Sequence, residues 1–132
     1  MPCYNTEMQL SHAEEYLQMA YPICLTIPRQ KKHVSLIICK KRIIATGMNF
    51  FKTHPMAKEI GYNFEEMHSE LDAFRKLTKE DKGKKLHLIN VRFNKFGQMR
   101  MSKPCEKCLP WCIEVFHTIH YTTDYGVQRI EY

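Results

Sequence analysis

The chain has 132 residues, the size of one compact domain (residues 1–132), and on folding it can remove roughly two-thirds of its unfolded surface from water. Hydrophobic residues make up 44% and charged residues 26%, which excludes a disordered or fibrous chain. Lys+Arg number 20 against 14 Asp+Glu, and the net charge of +6 points toward a nucleic acid, a nucleotide or an acidic surface, with a solvated lysine-rich surface as the plainer reading.

The longest charge-free stretch near the start, residues 16–28, is too short for a bilayer and is broken by Pro22, so no membrane partner is expected. Glu7, Glu14 and Glu15 stand where a secretory signal would carry basic residues. The six cysteines Cys3, Cys24, Cys39, Cys105, Cys108 and Cys112 therefore read as reduced thiols or metal ligands of a cytoplasmic protein rather than as a disulfide framework.

Ser11-His12-Ala13-Glu14 has the form of a capping box and predicts a helix over 12–20 that stops at Pro22. The apolar, β-branched run 34–39 predicts a buried strand, Lys40-Lys41-Arg42 a turn, and 43–48 a second strand followed by a loop of functional length. Leu71, Phe74 and Leu77 recur at three-residue steps with charged residues between them, which predicts an amphipathic helix starting near Met67. Residues 86–93 read as the central strand, ended by a turn over 94–97. Pro104 then opens a helix with the stripe Cys108, Cys112, Val115, Phe116 and Ile119. The segments 118–123 and 127–132 are strand-like and too close for a crossover helix, so they predict an antiparallel hairpin. The expected architecture is a three-layer α/β/α sandwich on a mixed five-stranded sheet.

Two short motifs carry chemistry, His68-Ser69-Glu70 and Pro104-Cys105-Glu106-Lys107-Cys108. Thiolates and imidazole are zinc ligands, and three protein ligands leave a fourth tetrahedral position for water, the arrangement of a catalytic site. Cys105 and Cys108, spaced i and i+3, share one face of a helix. His68 and Glu70, at i and i+2, diverge on a regular helix and converge only at its start. Helix N-termini at both motifs would favour the thiolates. Glu70, a carboxylate beside the metal, would take the proton that the water loses on becoming a nucleophile.

H-x-E followed by P-C-x-x-C is the signature of the zinc deaminases. On these motifs and their order along the chain, the sequence resembles the cytidine deaminase-like superfamily over essentially its whole length. That resemblance implies one zinc ion held by His68, Cys105 and Cys108, with Glu70 as the proton shuttle. It implies that the Ser69 backbone N–H meets the pyrimidine carbonyl and that Asn49 contacts the ribose. The common residue between His and Glu in the family is Ala, where this chain has Ser69. The interval from Glu70 to Pro104 is long, with the excess in 95–103. The implied reaction converts cytosine to uracil in cytidine, deoxycytidine or dCMP with release of ammonia; the final hairpin resembles the branch acting on free nucleosides.

Other readings stay open. A polynucleotide could be the substrate, or the chain could be a non-catalytic, zinc-stabilised binding domain, and self-association into a homo-oligomer is compatible with all of them. Cys105 and Cys108 could be a redox dithiol, which leaves His68 and Glu70 without a task. Cys112, with His117 or His120, could complete a closed structural site, or be a small buried hydrophobe. Lys52, His54 and Lys58 could hold a substrate phosphate, and Phe50, Phe51 and Phe64 could stack on a base. Asp124 and Tyr125 line a pocket or simply form a turn. The expected topology turns Lys40, Lys41, Arg42 and 82–85 away from the chemistry and leaves Lys52, Lys58, Lys95, Arg100 and Lys103 near it. That set suits one phosphate better than a long nucleic acid.

Overall fold

The computed structural model describes residues 10–27, 32–49 and 68–132. Five strands, β1 (Lys32–Cys39), β2 (Arg42–Met48), β3 (His87–Phe93), β4 (Thr118–Thr123) and β5 (Gly126–Arg129), form one mixed sheet in the order β2-β1-β3-β4-β5. The β3–β4 pair is parallel and the other three pairs are antiparallel, so the final hairpin is as expected and residues 87–93 form the central strand. Three helices accompany the sheet among the described residues: α1 (Leu10–Leu25), α2 (Ser69–Arg75) and α3 (Leu109–Val115).

The alternation of β1 explains why its run is apolar at every position from 34 to 39 except Ser35. Val34, Leu36 and Ile38 pack with Tyr16, Leu17 and Ala20 of α1, while Ile37 and Cys39 pack with Leu71 and Ala73 of α2 and with Cys112 of α3. A strand covered on both faces has no solvent side to mark with polar residues. Lys40 and Lys41 connect β1 to β2 with φ of 51° and 66°, so both residues of this two-residue turn are left-handed, the twist that suits a tight hairpin.

Two expectations about helices are corrected. The first helix does not stop at Pro22: it begins at Leu10, places Ser11 inside its first turn, and continues to Leu25 with Pro22 inside. Proline forfeits one ladder bond there, yet Cys24 and Ile27 beyond it are buried against the sheet, and the Ile23 carbonyl accepts from both the Thr26 N–H and its hydroxyl. The second correction concerns Pro104, which does not open a helix; α3 starts at Leu109, with Pro110 in its first turn. In a helix begun at Pro104, Pro110 would fall in the interior, without an N–H and against the carbonyl of Glu106. Cys105 and Cys108 therefore lie in the turn ahead of the helix.

The α1-facing side of β3 and β4 holds two buried imidazoles, His87 and His120. The His87 Nδ1 lies 2.7 Å from the Thr118 hydroxyl. Burial first, then the nearby His117, His120, Lys85 and Arg129, pushes His87 down to about 4. Burial, then Arg129, brings His120 to about 4 as well. Between pH ~6.5 and ~4 the unfolded chain takes up protons that the folded one refuses, so stability falls with pH across that window, by at most ~1.4 kcal/mol per pH unit for each group. Urea midpoints measured at pH 7 and pH 5 should show this loss, and His120→Leu should roughly halve it; a midpoint equal at the two pH values contradicts the prediction.

Candidate metal centre

The first motif is positioned by an unusually close helix–strand contact. A Cβ on Gly47 of β2 would lie 2.1 Å from the Ser69 carbonyl oxygen and 2.3 Å from the Ala73 nitrogen, so α2 rests directly on the strand backbone. Asp72 ties the two together: its Oδ2 accepts from the Met48 N–H at 2.9 Å, and its Oδ1 accepts from Arg75 Nε at 2.8 Å. Lys76 Nζ donates to the Thr46 carbonyl at 2.9 Å. His68 is the residue before the helix, with an extended backbone (φ −84°, ψ 148°), whereas Ser69 and Glu70 are helical. This change of backbone state at His68 is what lets residues two apart face one region, as the i, i+2 spacing requires.

The second motif is a turn rather than a helix face. The Cys105 carbonyl accepts from the N–H groups of Cys108 (3.1 Å) and Leu109 (2.8 Å), and Cys108 caps α3. The turn brings both sulfurs to the imidazole: His68 Nδ1 is 3.5 Å from Cys105 Sγ and 3.5 Å from Cys108 Sγ. The three ligand atoms lie within 4.8 Å of one another, and no other group of three among the described residues could hold a metal ion. A tetrahedral ion with bonds of ~2.3 Å to sulfur and ~2.0 Å to nitrogen holds S and N ~3.5 Å apart, so the observed spacing fits a metal. The Cys105 thiol is lowered to about 3, first by the hydrogen bond with Cys108, then by His68 and the N–H groups of Cys108 and Lys107, against the opposing effect of burial. These turn amides take the part that a helix N-terminus was expected to play.

Glu70 is buried, 5% exposed, and burial pushes its carboxyl above the ordinary carboxylate range, opposed by its own backbone N–H, Asn90 and His68. Its Oε2 accepts from Asn90 Nδ2 at 2.9 Å, and the same nitrogen donates to the Ser102 carbonyl at 3.0 Å. Ser35 Oγ donates to Asn90 Oδ1 at 2.6 Å and lies 2.8 Å from Ser69 Oγ. The Ser102 hydroxyl donates to the Asn90 carbonyl (2.8 Å) and accepts from the Thr122 N–H (2.7 Å). Sequence reasoning missed this network. The available signal was polarity in the wrong place, with Ser35 and Asn90 standing inside otherwise apolar strand runs where a buried polar group requires a partner.

The remaining expectations separate. Ser69 is buried in the network just described. Asn49 extends the β1–β2 ladder, its Oδ1 accepting from the His33 N–H at 3.0 Å. Cys112 is buried in the apolar cluster beneath α3, where burial, then Glu70 and Cys105, raises its thiol; it does not join the three ligands, nor do His117 or His120. Asp124 and Tyr125 form the β4–β5 turn around the Thr123 hydroxyl. Residues 94–99 fold back tightly, with the Asn94 side chain accepting from the N–H groups of Phe96 and Gln98. Strand register puts Lys40, Lys41 and Arg42 beside the start of β3, away from the ends of β2 and β3 where Asn49 and the 94–99 turn lie. Lys52, His54 and Lys58, and the aromatics Phe50, Phe51 and Phe64, lie outside the described residues.

The chain thus carries a His-Cys-Cys cluster able to hold a metal ion on a mixed α/β sheet. No family model matches it, and no curated protein does. No described helix is long and apolar enough to cross a membrane.

Proposed function

We propose that this chain is a zinc-dependent hydrolytic deaminase of the cytidine deaminase-like superfamily, converting cytosine to uracil in a small nucleoside or nucleotide with release of ammonia. The observation that carries the reading is the meeting of His68, Cys105 and Cys108 around one point, with a buried carboxylate, Glu70, two residues from the imidazole. His68, Cys105 and Cys108 would hold the ion. Bound there, zinc acts as a Lewis acid that makes water nucleophilic at neutral pH. Two thiolates and a neutral imidazole balance the charge of Zn²⁺, so Glu70 supplies the local negative charge and the proton-accepting site. It would take the first proton of the water and pass it to the pyrimidine ring nitrogen, then take the second from the new hydroxyl on the ring carbon and give it to the departing amine, so that both hydrogens of the water are accounted for and ammonia leaves. Ser69 offers its backbone N–H to the pyrimidine carbonyl, and Asn49 its amide to the sugar. The five described cysteines are free thiols, which supports a reducing, cytoplasmic setting.

Loss of ultraviolet absorbance on cytidine, deoxycytidine and dCMP, run beside a labelled single-stranded oligonucleotide, tests the reading. Turnover of one small substrate is expected. Activity confined to the oligonucleotide would move the substrate to a polynucleotide, and no activity with metal bound would leave a zinc-stabilised binding domain. Metal content separates the sites: His68→Ala should abolish stoichiometric zinc, whereas Cys112→Ala should retain it.

A further inference from the structure

We infer that Asn90 is a positioning residue, whose amide sets the orientation of the Glu70 carboxylate and ties it to the segment that leads into Cys105 and Cys108. The inference rests on the deaminase reading, in which the direction of that carboxylate matters for proton transfer.

The amide has one orientation that satisfies its surroundings. On one side stand two acceptors, Glu70 Oε2 at 2.9 Å and the Ser102 carbonyl at 3.0 Å. Only an NH₂ group can serve both, so Oδ1 must face Ser35 Oγ, 2.6 Å away. The hydroxyl of Ser35 then spends its single proton on Asn90, and the Ser69 hydroxyl has two acceptors in reach, Ser35 Oγ at 2.8 Å and Glu70 Oε1 at 3.3 Å. A flipped amide would set its oxygen against a carboxylate and a carbonyl with no donor between them.

The backbone around Asn90 is as firmly held as its side chain. It lies in β3, with Ser35 opposite it in β1 and Tyr121 opposite it in β4. Ser102, which precedes Pro104 and Cys105 by only a few residues, is locked between β3 and β4. Its hydroxyl donates to the Asn90 carbonyl, and its N–H donates to the Thr122 carbonyl at 2.9 Å. Asn90 is 1% exposed, so no water can replace its bonds without entering the core. One amide therefore joins the carboxylate of the first motif to the approach of the second, through the central strand. Asn90 holds Oε2 while the Ser69 hydroxyl reaches Oε1 at the longer distance of 3.3 Å, so without the Asn90 donor the carboxylate keeps only its weaker contacts and is freer to turn about its side-chain torsions.

The test compares zinc-loaded wild type, Asn90→Ala and Asn90→Asp. The Asp variant keeps the volume and the acceptor for Ser35 but loses both donations. Both variants are expected to hold one equivalent of zinc and to lose about 10- to 100-fold in kcat, the usual effect of removing a partner one step behind a metal site, with KM changed less than about threefold. Loss in KM alone, or kcat within about twofold of wild type in both, overturns the inference. A second readout needs no turnover: with [¹³Cδ]glutamate labelling, the carboxyl resonance that Glu70→Gln removes should move or broaden in Asn90→Ala, and an unmoved resonance overturns the inference. Should Asn90→Ala and Asn90→Asp fail to fold, Ser35→Ala, which removes the donor that anchors Oδ1 and so loosens the amide's hold on Glu70, should still lower kcat several-fold and shift the same resonance. If wild type deaminates no cytosine substrate, the deaminase reading fails, while the resonance still decides whether Asn90 orients Glu70.

Discussion

Glu70→Gln is expected to retain a full equivalent of metal and to lose about 10²- to 10⁴-fold of deaminase turnover, the range lost with a positioned acid–base group. The two properties separate because the three groups that meet at ligand distance are His68, Cys105 and Cys108, and Glu70 is not among them. Gln fills the same volume and still accepts from Asn90, so the network around it stays intact. It cannot take up a proton. Stability should not fall with activity. A carboxylate in a site where burial opposes its charge is costly to keep, and the neutral amide removes that cost. Metal analysis, the nucleoside assay and a thermal melt on one preparation check all three points. Retained turnover would remove Glu70 from the mechanism, and lost metal would make it a ligand.

The second large effect is expected far from any reacting group, at Gly47→Ala. The added methyl would meet the Ser69 carbonyl oxygen at 2.1 Å and the Ala73 nitrogen at 2.3 Å, and both are backbone atoms of α2 that no rotamer change can move aside. The helix must lift from β2 or the strand must bend, and either strains the bonds from Asp72 to the Met48 N–H and from Lys76 to the Thr46 carbonyl. Overpacking typically costs about 1–3 kcal/mol, and a backbone clash of this severity belongs at or above the upper end. Glu70 lies in the first turn of this helix and His68 immediately precedes it, so the variant should bind metal more weakly than wild type at a temperature where both are folded. Urea melts and zinc titration measure the two effects. A wild-type midpoint together with wild-type zinc affinity would show that α2 does not need this contact.

Much of the fold was legible in short windows. The apolar run 34–39, the paired lysines, the three-residue steps from Leu71 and the short spacer before 127–132 led to β1, the hairpin turn, α2 and β5 close to where they stand. The departures came from prolines. Pro22 read as a stop because its local cost is plain, while the compensating burial of Cys24 and Ile27 comes from strands elsewhere in the chain. Pro104 read as a helix start because its ring suits that place, but Pro110, six residues on, suits it better and forbids the earlier one.

The site divides along the same line. The sequence by itself determined the donor set, because imidazole, two thiols and a carboxylate at these spacings suit one metal and one proton relay. It also determined that His68 had to stand at a helix boundary, since i and i+2 cannot otherwise converge. Only the tertiary structure decided that His68 meets Cys105 and Cys108 across 37 and 40 residues of chain, that the cysteines reach it from a turn, and that Asn90 holds Glu70. Spacing and side-chain period are properties of a few neighbouring residues. The partner of a buried amide and the clearance above a glycine are set by segments distant in sequence, and they become defined only when those segments pack.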